Sequence, residues 1–374
     1  MAITVTVIGA GAFGGWTALH LLRAGCRVTL VDAWGPGHSR SSSGDETRVI
    51  RGSYGPNAIY TQMVARAIPI WRESQRRWRV KLFEQNGALW MAGTPGNDSY
   101  ERSSLENIRQ AGMPCEKISA AEGKRRWPQM NWDGIEWAVH ETGAGHLFAR
   151  RACQAVMEGF IAENGAYRAE AVDAAAVLRN PVSDRYVFAC GPWLGQVFPD
   201  ILGKLITATR QEIFYFGTAA GDGRFSEDRF PTWVDNSPAR YYGIPGNQWR
   251  GFKVGEDVAG PAFDPTNGDR RVTESGLARA RTYLARRFPA LKDAPLTESR
   301  VCQYEMSPDG DLIIDRLPGY EHIWIAGGGS GHGFKLGPAV GGMVAKQVLE
   351  QAPVEPRFAL ARFAGKPPGV GERK

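Results

Sequence analysis

The chain is short of the features that staple a fold or anchor it. Its five cysteines, Cys26, Cys115, Cys153, Cys190 and Cys302, are scattered, odd in number and nowhere in C-x-x-C spacing. That argues against a disulfide framework or a zinc site, and for a reducing compartment. No apolar run approaches the ~18 residues that a membrane span needs. The N-terminus enters its first apolar strand at once, which leaves no room for a secretory leader. Lys and Arg number 45 against 39 Asp and Glu, a formal charge of +6, yet no basic run is interleaved with aromatics, so a nucleic-acid surface is not expected. The dense basic stretch at 72–79 has the spacing of a solvated helix face, with a binding patch as the alternative. A soluble cytoplasmic protein without nucleic-acid or membrane partners is the expectation, and 374 residues allow about two domains.

What is present is concentrated first at residues 4–32. Val5, Val7 and Ile8 form an apolar run suited to a strand buried on both faces. Gly9, Gly11 and Gly14 follow in G-x-G-x-x-G spacing, with Phe13 inside the motif and the helical pattern of Ala18, Leu21 and Leu22 after it. The first glycine makes the tight turn, the second admits a pyrophosphate and the third lets helix and strand pack closely. The helix start offers unpaired N–H groups to phosphate. A second strand, 28–31, delivers Asp32, whose carboxylate is placed to accept ribose hydroxyls. This context predicts a dinucleotide site and leaves NAD and FAD both open.

Further along, a Gly/Ser-rich loop at 33–46 carries Arg40, Ser41 and Ser42, either beside the cofactor or simply on the surface. Periodicity predicts helices at 60–78, 98–112, 148–164 and 274–288, and a helix capped by Ser119 and stopped before Pro128. Residues 82–91 read as a hairpin around Asn86-Gly87. Residues 185–190 read as a buried strand ending in Gly191-Pro192-Trp193, where a doubly wound sheet meets its ligand. Little room is left for sheet between Tyr167 and Tyr186. From Thr209 the alternation of apolar and polar residues predicts an antiparallel sheet with one wet face. A buried strand at 322–326 then runs into a glycine loop and a helix, and the tail after Gln351 reads as peripheral.

Several segments together carry a family resemblance: GAGAFGG, GDETRVIRGSYG, KRRWP with TGAGHLFARRAC, RQEIFYFG, YYGIPG with GFKVG, VCQYEMSPDGDLIID and GGGSGHGFKLGP. Over about residues 4–350 the chain resembles the monomeric sarcosine oxidase and N-methyltryptophan oxidase family of FAD-dependent amine oxidases, in the D-amino acid oxidase-like group. The resemblance implies a mixed α/β fold: a Rossmann-type FAD-binding domain (1–80, 140–208 and 300–350) interleaved with a substrate domain on a mostly antiparallel sheet (81–139 and 209–299), then a tail at 351–374. It implies FAD held covalently through Cys302, a residue that its type alone would favour as a small buried hydrophobe. Lys253, otherwise a strand lysine facing water, matches the lysine that speeds reaction with oxygen. Arg51 and Lys335 match the cations that hold the substrate carboxylate. Arg48 matches the arginine beside the flavin, with an ion pair to Asp45 or Glu46 as its structural alternative. Tyr304 and one of Tyr241 or Tyr242 would line the cavity. Gly328, Gly329, Gly331, His332 and Gly333 would bring backbone to the flavin's pyrimidine edge.

The chain departs from the family where histidines are expected: Ser43 and Gly44 precede the loop, and Asp257 follows Lys253. A carboxylate there, Asp257 or Glu256, suits an ammonium or a longer polar side chain. The implied activity is oxidation of amino acids or N-methyl amino acids to imines, with electrons passed to O2 to give hydrogen peroxide. The alternatives are an L- or D-amino acid deaminase, an amine dehydrogenase with another acceptor, and a non-catalytic or tRNA-modifying FAD protein. A monomer is compatible with the resemblance.

Overall fold

A computed structural model of the chain describes residues 2–93 and 96–365. It opens with β1 (Thr4–Ile8), α1 (Ala12–Arg23), β2 (Arg27–Asp32), β3 (Thr47–Ile50) and α2 (Ala58–Trp78). Next come β4 (Phe83–Glu84), β5 (Ala88–Met91), α3 (Ser99–Gln110), β6 (Glu116–Ser119), α4 (Ala120–Arg126), β7 (Trp137–Glu141), β8 (Gly145–Phe148) and α5 (Ala149–Ala162). Then follow β9 (Ala166–Ala169), α6 (Ala174–Arg179), β10 (Arg185–Phe188), α7 (Leu194–Val197), α8 (Pro199–Leu202) and β11 (Thr207–Phe216). The chain continues through β12 (Thr232–Asp235), β13 (Tyr241–Ile244), β14 (Phe252–Glu256), α9 (Glu274–Arg287) and β15 (Leu296–Met306). It closes with β16 (Ile313–Arg316), β17 (Ile323–Gly327) and α10 (Gly337–Val348).

Six strands form one sheet in the order β16-β17-β10-β1-β2-β9, parallel except for β16 against β17. Its central strands are rich in buried apolar residues because both faces are covered. Leu19, Leu21, Trp16 and Val340 belong to the core on one side, where α1 packs against α5 and α10, and Phe188, Leu194 and Leu202 to the core on the other. The Rossmann-type expectation holds. Only the edge strand β9 and the short α6 occupy the stretch between Tyr167 and Tyr186.

The second sheet has eight strands, β15-β11-β14-β13-β12-β5-β7-β6. It is antiparallel apart from one junction, β12 with β5. One face packs on α9 through Phe214, Trp233, Phe252, Val254 and Leu284, which are all buried. The opposite face, reached by the alternate residues, turns toward the site. β11 and β15 run through the expected domain boundaries at 208/209 and 299/300 and pair along their length. A small sheet of β3, β8 and β4 lies between.

Two local expectations are overturned. Residues 82–91 are not a hairpin: β4 pairs with β8, while β5 pairs with β7 and β12. Asn86 and Gly87 do turn the chain, but the Gly87 N–H donates to the Ala144 carbonyl (3.1 Å) and Asn86 Nδ2 to Phe230 (3.0 Å), so the turn hands the chain from one sheet to another. The tail is not peripheral as far as Gly365. Phe358 is fully buried, its carbonyl accepts from the Ile314 N–H (3.0 Å), and Arg357 binds Asp311 (2.9 Å). The expected cap on α4 is present, with Ser119 Oγ accepting from the Glu122 N–H at 3.2 Å.

Candidate active site

A cavity of about 410 Å³ opens along the carboxyl ends of β1, β2, β10 and β17, where the two sheets face each other. Its nucleotide end is lined by Gly9, Gly11, Phe13, Asp32, Ser41 and Ser42. Gly9 has φ +104°, and a Cβ there would strike the Ala189 carbonyl; a Cβ at Gly14 would strike the Gly9 carbonyl. Gly14 therefore stays outside the cavity and serves helix–strand packing, the role its place in the motif predicts. The α1 N-terminus has Gly11 as its cap, no acidic residue in its first turn, and Ser43 Oγ accepting from the Ala12 N–H at 3.3 Å. Such an end suits an anionic diphosphate. Asp32 accepts from the N–H groups of Ala10 (2.7 Å), Trp34 (2.9 Å) and Gly35 (2.8 Å), which fixes its carboxylate at the cavity edge. The residues present fit a dinucleotide.

The other end is lined by Arg48, Arg51, Tyr242, Asp257, Tyr304, Gly329, Gly331, His332, Gly333 and Lys335. Arg51 is buried with its guanidinium 4.2 Å from the Trp90 ring centroid and 4.9 Å from that of Tyr54, and it donates to the Ser53 carbonyl. Lys335 Nζ lies 5.1 Å from the Tyr54 ring and donates to the His332 carbonyl (2.9 Å). His332 itself is set between Tyr54 (3.3 Å) and the Gly310 carbonyl (3.0 Å). Tyr304 lays its ring on Gly331, where a Cβ would come within 2.7 Å, and its hydroxyl donates to Asp257 (3.3 Å).

Behind this wall lies a charged cluster. Asp45 accepts from Lys253 Nζ (2.5 Å), from the Tyr215 hydroxyl (2.9 Å), from the Glu46 N–H (2.8 Å) and from Arg48. Burial alone would raise Asp45, but the Lys253 and Arg48 charges hold its carboxyl far below the carboxylate range. Burial draws Lys253 below the usual amine value, with Asp45 opposing. Arg48 keeps its charge against burial because Cys302 and Asp45 stand beside it. Its other nitrogen donates to the Ser42 carbonyl (2.7 Å) and to Cys302 Sγ (3.0 Å).

Residues 4–347 match the family described as FAD dependent oxidoreductase. The chain belongs to that family. This oxidoreductase is 27% identical to the N-methyl-L-tryptophan oxidase of Yersinia pestis (strain Pestoides F), over 97% of its own length and 100% of the relative's. Its fold is shared with the L-proline dehydrogenase from P. horikoshii at a TM-score of 0.81 and 19% identity, covering 97% and 98% of the two chains. It is shared too with the iminodiacetate oxidase from Chelativorans sp. BNC1, at a TM-score of 0.75 and 21% identity over 95% and 98%.

Some expected site residues of the oxidoreductase lie elsewhere. Tyr241 faces away from the cavity and stacks on Tyr283 with ring centroids 4.1 Å apart, because neighbours on a strand take opposite faces. Arg40 is exposed, with its guanidinium 5.8 Å from the Trp34 ring centroid rather than in the cavity wall. Gly328 sits one layer back, its N–H donating to Glu305 Oε1 (2.9 Å). Lys253 and Cys302 lie behind the lining. Cys302 packs with Ile213, Tyr215 and Tyr242, next to Ser42, Arg48 and Gln303, which do line the cavity. Glu256 pairs with Arg279 (3.1 Å), which leaves Asp257 as the carboxylate of that turn in the cavity wall.

The sequence reading also missed residues. Trp90, Tyr54, Trp34, Trp193 and Glu305 shape the site or its edges, and although all five fall in segments that had drawn attention, none was singled out as a site residue. Glu305 is buried between Gly191 and the glycine loop. Burial pushes it up to about 7, against the Gly328 and Gly329 N–H groups that favour the charged form. Its place in a strand of otherwise site-facing alternation gave no signal, since it points to the other face from Cys302 and Tyr304. Among the described residues no helix is long and apolar enough to cross a membrane.

Proposed function

We propose that this oxidoreductase oxidises amino acids or N-methyl amino acids and passes the electrons to dioxygen. One observation carries the reading: a single cavity joins a dinucleotide cradle to a pair of buried cations, Arg51 and Lys335, backed by aromatic rings. Bound FAD supplies the acceptor for the hydride that leaves the substrate carbon and then gives two electrons to oxygen, so that the products are an imine, hydrolysed in water, and hydrogen peroxide.

The chain's own residues bind, orient and exclude water. Gly9, Gly11 and the α1 N-terminus hold the diphosphate, and Asp32 the ribose. Arg51 and Lys335 hold the substrate carboxylate between them. Tyr242 and Tyr304 close the sides. Gly329, Gly331 and Gly333 let backbone approach the cofactor's pyrimidine edge. Cys302 is the attachment point for a covalent flavin, and its sulfur accepts from the Arg48 guanidinium at 3.0 Å. In this reading the six-stranded sheet serves the nucleotide and the eight-stranded sheet the substrate, and five free cysteines suit a cytoplasmic setting.

Lys253 supplies positive potential for oxygen reduction. Its ammonium is engaged by Asp45 and Thr47 behind the wall, and that observation favours a second reading, a dehydrogenase with another electron acceptor. Purified protein should be yellow, and should stay coloured after acid denaturation unless Cys302 is replaced by Ala. A panel of amino acids and N-methyl amino acids, followed by peroxide release and by reduction of a quinone acceptor, separates the readings. Reoxidation in air that is slow, and unchanged in Lys253→Met, would establish the second. Protein that is colourless and takes up no FAD would overturn both.

A further inference from the structure

Beyond β14 the chain places Asp257 in the cavity wall, half-buried, with its N–H donating to the Arg240 carbonyl at 2.6 Å. Two tyrosine rings flank it. Tyr304 reaches it with its hydroxyl from a ring that rests on Gly331, in the loop that leads to Lys335. The carboxylate therefore stands one tyrosine ring away from that loop. Tyr242 lies across Gly255, two residues earlier, where a Cβ would come within 2.9 Å of the ring, and burial, aided by the Asp45 and Asp257 charges, raises its hydroxyl above the usual phenol value. The cations Arg48, Arg51 and Lys335 line the same end of the cavity. The remaining lining acids are placed differently: Asp32 and Glu170 at the nucleotide end, and Glu305 on the opposite face of β15.

A carboxylate that accepts from the Tyr304 hydroxyl, with the Tyr242 ring close by, is a receptor for a cation, since the negative charge and the electron-rich rings attract the same group. We propose that Asp257, with Tyr242 and Tyr304, selects substrates that carry a second positive charge: amino acids whose side chain ends in an ammonium or a guanidinium. This rests on the reading above, in which Arg51 and Lys335 hold the substrate's carboxylate. The side chain then runs from the reacting centre toward the half-buried mouth, and a second carboxylate in its place is repelled.

The test compares isosteric pairs, lysine with norleucine and arginine with citrulline, in both enantiomers and as N-methyl derivatives. The wild type should favour the charged member in kcat/KM by about tenfold or more. Asp257→Asn should bring each ratio to within about twofold, because kcat/KM falls more for the charged member of each pair than for its neutral isostere. Binding is read separately: 5-aminovalerate should bind the wild-type holoprotein more tightly than valerate, by the change in flavin absorbance, and the two should bind Asp257→Asn alike. Should that variant not fold, the wild-type preference must fall with added salt, as an ion pair's does and a preference of shape does not. A wild-type ratio at or below one, or a ratio that survives Asp257→Asn or high salt, overturns the proposal. Failure to oxidise any of the panel would count against the proposed reaction, and the 5-aminovalerate and valerate constants would still decide the role of Asp257.

Discussion

Two pairs of cations, buried except for the half-buried Arg48, lie at the same end of the cavity, and they are held in different ways. Arg48 and Lys253 share the carboxylate of Asp45. Arg51 and Lys335 rest on the rings of Trp90 and Tyr54 and donate to backbone carbonyls. A carboxylate neutralises its partner, whereas a ring face offsets part of the desolvation and leaves the charge available to an incoming acid. In the proposed reaction the first pair serves the architecture and the second the substrate.

Breaking the first pair should give the largest effect. Asp45→Asn leaves buried Lys253 and half-buried Arg48 without their counter-charge, at a cost of about 3–5 kcal/mol, seen as a fall in denaturant midpoint. Adding Lys253→Met to that variant should return part of the loss, since one orphaned charge goes with it. Breaking the second pair should spare the fold and damage the reaction. Arg51→Ala is expected to lower kcat/KM for carboxylate substrates by the equivalent of about 2–5 kcal/mol, with a denaturant midpoint close to that of the wild type.

Glu305 sharpens the contrast from the opposite sign. It is a buried carboxyl whose N–H partners do not outweigh its burial, and it is pushed from 4.5 up to about 7. The folded state therefore holds this proton more tightly than the unfolded one. Its contribution is complete below pH 4.5 and is lost as the pH rises through about 7. Glu305→Gln should accordingly gain on the wild type as the pH is raised from 4.5 to above 7, by about 3 kcal/mol in unfolding free energy. The smallest effect is expected at the ring behind Arg51. Trp90→Leu should weaken carboxylate binding by about 1 kcal/mol, read as a rise in KM with kcat little changed.

The parts that could be read in advance are those in which one local rule decides. The glycine spacing with Asp32 marked the cradle because the turn, the close approach and the carboxylate are each required by local geometry. The cap at Ser119 and the helical periods held for the same reason. The hairpin at 82–91 was misread because Asn86-Gly87 specifies a turn and not which strands will pair. Tyr241 and Tyr242 could not be told apart until the register of β13 against β14 was known. Trp90 was invisible because a tryptophan in a strand reads as core, and only the fold brings it 4.2 Å from Arg51. The tail misled because its Pro- and Gly-rich composition hides one anchoring residue, Phe358.

The division between the two cation pairs is tested most directly by the affinity of the holoprotein for a simple carboxylate that cannot be oxidised, such as propionate, measured through the flavin absorbance. Arg51→Ala and Lys335→Met should each weaken that binding at least about tenfold, while Lys253→Met should leave it within about twofold. Undiminished binding in Arg51→Ala and Lys335→Met, with a loss in Lys253→Met, would contradict the account.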